Sequence, residues 1–322
     1  RSVSFPLWKQ PAELPEALRR LLAEAPASNE LAVTMTGELA DCFETKAEGV
    51  KFILEAVECA AGDVSVGVYC VDGSLVSVRQ AIANPLAAAA SNWHALARFA
   101  ARYCAADLAV AVDIGSTTSD LTPLVQGRVA AHGMNDVERL VRGELVYTGV
   151  DRTPMCAVLK ECRLGDAKSP TTAEWFCTAA DAYLLAGELP EEPQNCDTAD
   201  GRPRTLTHAH NRVARLVGGD RTLVSLHDAV AIAEEFCDAQ LELLERSLRL
   251  RFGEAIPAHW IASGAGEFLV ARLARRISSH VQVTSLTELL GEAASRCAPA
   301  HALAVLAAEA AEAAGIMPTP GI

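Results

Sequence analysis

The chain has 322 residues, 50% of them hydrophobic and only 5% aromatic, and its formal net charge is −13. The apolar content is mainly Ala, Leu and Val, which suits helices packed on sheets better than an all-β sandwich, and the length corresponds to about two domains. The acidic balance argues against a nucleic-acid groove, which needs clustered Lys and Arg. It still allows an anionic small molecule at a site whose local sign differs. The ten cysteines form no C-x-x-C pair and mostly sit in apolar stretches, as buried thiols do in a reducing compartment. No apolar run reaches transmembrane length and no signal-peptide core is visible, so a cytoplasmic protein without a membrane partner is expected.

Residues 1–5 read as a strand. The first residue is Arg1, not Met, so the sequence is expected to begin inside a longer native chain. A helix over 12–25, a strand over 31–35, a helix over 47–61 and a strand over 64–70 follow. Val71-Asp72-Gly73 turns the chain into a hairpin whose second strand covers 74–79. Asn84-Pro85 has the N-cap and first-turn chemistry of a helix start, and an Ala-rich helix is expected from there to about residue 104. A domain boundary is expected near Ala105-Ala106. The apolar run 108–112 reads as a central strand buried on both faces. Asp113 ends it, a Gly/Ser/Thr loop follows, and strands over 121–125 and 128–132 complete an antiparallel meander. Next come short helical turns over 136–141, a helix over 171–187, a long exposed loop over 189–204, and helices over 208–217 and 223–252. A strand over 258–263 runs into Gly264-Ala265-Gly266, which opens another helix. A strand near 281–284 and a last helix over 298–314, stopped by Gly315, follow.

Two loops carry chemistry. A buried strand delivers Asp113 to a sheet end, and Gly115 lets the backbone approach a ligand. Ser116, Thr117 and Thr118 add hydroxyls and backbone N–H groups suited to phosphate oxygens. Asp113 is either a Mg²⁺ ligand or a general base. Without a Lys or a following helix this is not a Walker A loop, and an ordinary hairpin loop is the plainer alternative. The Gly264-Ala265-Gly266 turn either holds a flat ligand or phosphate at a helix N-terminus, or needs its glycines for packing.

Val112-Asp113-Ile114-Gly115-Ser116-Thr117-Thr118-Ser119-Asp120, followed by a Gly turn, resembles the second phosphate loop of the actin, sugar-kinase and Hsp70 superfamily; residues 262–266 resemble its adenosine loop. Within that superfamily the chain is similar to the hydantoinase A/oxoprolinase group, and more narrowly to its small members linked to tetrahydromethanopterin-dependent one-carbon metabolism. The similarity is carried by the Asp113 loop, Thr34-Met35-Thr36-Gly37-Glu38-Leu39-Ala40-Asp41, Ser91-Asn92-Trp93, the stretch 143–154 and Thr178-Ala179-Ala180-Asp181-Ala182-Tyr183. It implies an α/β fold of two ribonuclease H-like lobes with an interlobe cleft. The first lobe is expected over 1–106, the second over 107–297, and a C-terminal helix over 298–322 is expected to pack back on the first. It also implies a transferase of methylofuran-type cofactor synthesis, condensing a furan-methyl diphosphate with a phenolic acceptor (tyramine- or tyrosine-glutamate) and releasing diphosphate. Mg²⁺ is the expected cofactor; ATP binding is left open. The superfamily's first phosphate loop, D-x-G-G, is not found before Phe5, and a lost hairpin of native chain is the expected reason.

On this resemblance Gly115, Ser116, Thr117 and Thr118 bind the diphosphate, while Asp113 and Asp120 hold Mg²⁺ or orient the nucleophile. Arg152 pairs with the diphosphate or a substrate carboxylate, or makes a surface salt bridge with Asp151. Tyr147 and Thr148 either line the aromatic substrate or pack within a strand. Glu38 is a base, a metal ligand or a helix N-terminal acid. Thr36, Asn92, Gly264 and Gly266 are assigned to the cleft, and Trp93 to the core. His208 and His210 do not face one metal at helical spacing. The long helix over 223–252 covers a sheet or makes a subunit contact, so a homo-oligomer is compatible with it. Two alternatives stand beside the transferase: an ATP-dependent hydrolase or small-molecule kinase like the family's namesakes, and a nucleotide-binding regulator without catalysis.

Overall fold

The computed structural model describes residues 2–104, 106–313 and 315. The elements, in chain order, are α1 Leu14–Ala23, β1 Glu30–Val33, α2 Lys46–Ala61, β2 Ser65–Tyr69, β3 Leu75–Ser77, α3 Val78–Ala83, α4 Pro85–Ala88 and α5 Asn92–Ala100. Then come β4 Leu108–Ile114, β5 Ser119–Val125, β6 Arg128–Val129, α6 Asp136–Val141, β7 Leu145–Val146, α7 Met155–Val158, β8 Glu161–Leu164, β9 Ala167–Pro170, α8 Ala179–Leu185, α9 Leu206–Arg215 and α10 Leu226–Phe252. Last are β10 His259–Ser263, α11 Glu267–Ile277, β11 Gln282–Ser285, α12 Leu286–Leu290, α13 Glu292–Ser295 and α14 Ala298–Ala313. One sheet has the order β1-β2-β3, with β1 and β2 parallel and β2 and β3 antiparallel. A second has the order β11-β10-β4-β5-β6, with β7 paired to β5. β8 and β9 form a separate hairpin.

Several expected elements differ, for local reasons. Residues 2–6 form no strand: Pro6 has no N–H to give a ladder, and its carbonyl accepts from Lys9 and Gln10 in a turn. Arg1 lies outside the described residues. The strand expected over 74–79 stops at Ser77, which forms a capping box with Gln80 and starts α3. The single Ala-rich helix is interrupted after α4, where Ala89 is extended and Ala90 has φ 49°. Asn84 precedes Pro85 as expected, but its side chain caps nothing. The helix expected over 171–187 is only α8, because Thr171 and Thr172 give their backbone N–H groups to Lys160 and Leu216. The end of the last helix past Ala313 lies partly outside the described residues.

The chain divides into two compact units. The first contains Arg1–Ala111, Thr122–Val141 and Thr284–Ile322, so α14 belongs with the N-terminal elements. Its core sets Val50, Leu54 and Val57 of α2 against Val68, Val78 and Met35. Leu303 and Leu306 of α14 pack on Tyr69 and Ala95. The second unit contains Val112–Leu121 and Arg142–Val283. Its spine is α10, started by Ser225, whose hydroxyl accepts from Asp228 N–H, and ended at Gly253 with φ 61°. Ile232, Phe236, Leu241, Leu244 and Leu248 recur on one buried face of it. Phe236 and Phe268 meet Tyr183 of α8 edge-on. All ten cysteines are free. Among the described residues no helix is long and apolar enough to cross a membrane.

Arg212, fully buried on α9, donates to Asp181 Oδ1 at 2.6 Å and to Asp200 Oδ1 at 3.0 Å. Removing one side of a buried pair strands the other charge. Arg212→Leu should therefore lower stability by about 3–5 kcal/mol in urea unfolding, a far larger cost than deleting an exposed pair such as Arg19–Glu16.

Candidate functional site

Ala109, Val110 and Val112 of β4 are almost fully buried, so the strand is fixed along its length and delivers Asp113 at its C-terminal end. Asp113 is partly buried, and its Oδ1 accepts a hydrogen bond from Ser263 Oγ, 2.6 Å away at the end of β10. Burial above all, then repulsion from Asp120, pushes the Asp113 carboxyl up to about 7, with Glu267 adding a smaller repulsion and Ser263 opposing them. Asp120 is buried on β5 opposite Leu145.

Between them, Gly115 N–H donates to Thr118 O at 2.9 Å and closes the hairpin. Val150 N–H donates to Gly115 O at 3.0 Å, and Asp151 and Arg152 both donate to Ser116 O, at 3.1 and 2.9 Å. Ser116 is exposed, Thr117 and Thr118 are partly so, and Arg152 is an exposed residue tied by its backbone to this loop. Asp151 pairs with Arg204 Nη2 at 2.7 Å.

The glycines separate into two kinds. A Cβ on Gly149 would lie 2.4 Å from Gly115 O and 2.5 Å from Thr117 N. Gly264, at φ 89°, would meet Ile114 O at 2.4 Å, and Gly266 would meet Ile114 Cγ2 at 2.4 Å. Gly149 and Gly264 are required so that neighbouring backbones can touch, and Gly266 so that the side chains of Ile114 and Val150 can pack against it. Gly115 differs: a Cβ there meets only Thr118 O, at 3.4 Å. Packing does not demand its missing side chain.

A buried network supports the loop from behind. Gln240 of α10 donates to Thr148 Oγ1 at 2.8 Å and to Gly149 O at 2.9 Å, and accepts from Tyr183 OH. Gly149 N–H donates to Thr153 Oγ1 at 2.8 Å, and Ser119 Oγ donates to Thr148 O at 2.7 Å. Thr148 is thus buried and already engaged, whereas Tyr147 is 56% exposed. Glu144, fully buried, accepts from Arg251 Nε at 2.8 Å. The Gly143–Pro154 motif is largely the wiring that holds the loop to α10. Ser263 and Gln240 were missed from the sequence. Gln240 carried a signal: it sits four residues from both Phe236 and Leu244 on the buried face of α10.

Glu38, Thr36 and Asn92 belong to the first unit, and the remaining candidates to the second. Glu38 is buried, Thr36 exposed and Asn92 half-buried. His210 is occupied by Val224 O, 2.8 Å from its Nε2. Among the described residues no group of three or more His, Cys, Asp or Glu forms a metal cage. Asp113 offers the oxygen that Ser263 does not take. That small donor set fits a Mg²⁺ that keeps most of its shell as water and ligand oxygen.

Because the folded Asp113 binds its proton more tightly than an unfolded Asp, its stability contribution is intact below about pH 4 and is lost as pH rises through about 7. Asp113→Asn keeps an acceptor for Ser263 and removes the buried charge. Its melting temperature should exceed the parent's by a few degrees at pH 8, and the gap should close as pH falls toward 4. Gln240→Leu should lower stability by about 1–3 kcal/mol, since it takes the Gln240 acceptor from Tyr183 OH and one of the two side-chain donors from Gly149 O.

A sequence profile of the Hydantoinase/oxoprolinase family matches residues 29–310. The (4-{4-[2-(gamma-L-glutamylamino)ethyl]phenoxymethyl}furan-2-yl)methanamine synthase of Methanocaldococcus jannaschii is 30% identical over 304 residues, which is 94% of this chain and 89% of that protein. The synthase of the same name from Methanococcus vannielii is 26% identical over 199 residues, 61% of this chain and 89% of that protein. Among solved structures, nucleotide-free acetone carboxylase is similar at a TM-score of 0.49 and 14% identity, covering 91% of this chain. The match covers 49% of that carboxylase chain, so this chain spans about half its length. The profile covers the Asp113 loop, its Gly149 clamp and the Gly264 turn alike, and a named synthase aligns across nearly the whole sequence: the chain belongs to the Hydantoinase/oxoprolinase family.

Proposed function

We propose that this protein is a transferase of methylofuran-type cofactor synthesis, joining a furan-methyl diphosphate to a phenolic acceptor and releasing diphosphate. The name of the relatives' product describes a phenoxymethylfuran, so its making forms one ether bond between a phenol oxygen and a furan-bound CH2. In the proposed step the phenolic oxygen forms that C–O bond, and the bond from the same carbon to the diphosphate breaks. The diphosphate leaves with the electron pair, and the phenolic proton passes to a base. The charge that must be stabilised gathers on the leaving group, so oriented N–H and hydroxyl donors are the main requirement.

Gly115 carries the reading. The fold tolerates a Cβ at this position, yet the residue sits in a rigid loop of exposed or half-exposed hydroxyls with Asp113 behind it. A glycine without a packing reason is explained by close approach of a ligand to the backbone. Ser116, Thr117 and Thr118 would bind the phosphate oxygens, with Arg152 beside them as the planar cation. Asp113 and Asp120 would hold Mg²⁺, which supplies charge neutralisation on the departing diphosphate. The packing of Gly264 and Gly266 against Ile114 accounts for both glycines without an adenosine, which favours a diphosphate over ATP. The reading extends to the fold: the order β11-β10-β4-β5-β6, with a meander at one end, supports a ribonuclease H-like lobe.

Gly115→Ala should fold with a melting temperature close to the parent's while weakening Mg-diphosphate binding at least ten-fold by calorimetry. Gly149→Ala, by contrast, should unfold. Incubating the parent with a furan-methyl diphosphate, a glutamylated tyramine and Mg²⁺ should yield the ether and diphosphate. Intact reactants, or ATP hydrolysis instead, would overturn the proposal.

A further inference from the structure

The first unit holds a set of polar groups that the Asp113 loop does not use. After β1 the chain crosses α2 so closely that a Cβ on Gly49 would lie 2.2 Å from Glu38 O. This clamp fixes Glu38 with a side chain only 1% exposed. Its Oε1 lies 3.5 Å from Lys46 Nζ, well beyond a charge-assisted hydrogen bond. Lys46 is committed elsewhere, at 2.5 Å from Asp136 Oδ2. Glu38 Oε2 is buried and has no hydrogen-bond partner. One lysine is therefore shared unequally by two carboxylates, and the buried one is left short of both charge and donors.

A second buried polar atom of this unit also lacks a partner. Three residues along α6 from Asp136, on the same helix face, Arg139 stacks 3.9 Å from the centre of the Trp93 ring. Trp93 Nε1 is buried and also has no partner. A buried group left unsatisfied is costly, and a carboxylate more so. A cationic donor removes both deficits at Glu38, whereas a neutral acceptor or an anion removes neither. Lys46 and Asp136, the ion pair beside Glu38, are each 20% exposed.

We infer that Glu38 anchors a binding site for a primary ammonium group. The class of ligand rests on the function proposed above: the relatives' product is a methanamine, so its making handles a primary amine. An ammonium brings three donors to a carboxylate oxygen that has none, and it neutralises the surplus charge beside Lys46. Glu38 binds and orients; no bond to it forms or breaks.

The test uses the full chain with 2-(aminomethyl)furan as the probe and furfuryl alcohol as its uncharged counterpart, both titrated by calorimetry at pH 7.5. The amine should bind at least ten-fold tighter than the alcohol, and Glu38→Gln should erase that preference, a loss of about 1.4 kcal/mol. Lys46→Met keeps the carboxylate and removes its competitor, so it should bind the amine as tightly as the parent or more so. This arm decides the matter if Glu38→Gln does not fold. Equal binding of amine and alcohol by the parent, an unchanged preference in Glu38→Gln, or loss of amine binding in Lys46→Met would each overturn the inference. Failure of the ether-forming reaction with amine binding intact would sink the proposed function and leave the ammonium site standing.

Discussion

A Cβ on Gly149 would lie 2.4 Å from the carbonyl oxygen of Gly115, and that contact governs the shape of the candidate site. Because no side chain intervenes, the strand-like segment after β7 lies directly on the loop after β4. Its next three N–H groups reach the carbonyls of Gly115 and Ser116. The carbonyls of Gly115 and Ser116 are thereby consumed by protein. Ser116 is left exposed and Thr117 and Thr118 partly so, an arrangement suited to an anion and unsuited to a cation alone. Gly264 and Gly266 close the other side in the same way, against Ile114.

That contact is held by α10. Gln240 bonds to Thr148 and Gly149, Arg251 reaches Glu144, and Gly143 passes within 2.5 Å of Ser247 O, counted from where its Cβ would be. Three points along one rigid helix therefore fix the segment that fixes the loop. Buried polar networks of this kind add little net stability but are costly to break, so they enforce one arrangement. The same physics applies to Arg212 with Asp181 and Asp200, where a fully buried guanidinium fastens α9 to α8 and to the long loop after it. Glu38 and Trp93 are the contrast: buried polar atoms that the protein itself does not satisfy.

Much of the scaffold was legible. The β4 run of Ala and Val with Asp113 at its end, the α2 and α10 periodicities, and the Gly-Ala-Gly turn before α11 all appear near their expected places. These signals are local: an apolar repeat, a cap, a glycine. The misses were also local in origin but decided by competition. Residues 74–79 read as a strand and 84–104 as one helix, yet Ser77 with Gln80 starts a helix early, and Ala90 at φ 49° breaks the run where Ser91 reaches Thr34. Thr148 was open to two readings, lining a substrate or packing within a strand, and its hydroxyl accepts from Gln240, ninety-two positions away.

The sequence by itself determined the α/β class, the position of the Asp113 loop and the aliphatic core, because these depend on neighbours within a few residues. Only the tertiary structure decided which glycines serve packing and which one does not, why the Asp113 carboxyl titrates near 7, and which charges are satisfied. Those properties depend on what lies within a few ångströms in space. Ser263 is 150 residues from the carboxylate it bonds, and Asp136 is 90 residues from the lysine it takes away from Glu38. No spacing along the chain encodes such pairs until the backbone has folded to bring them together.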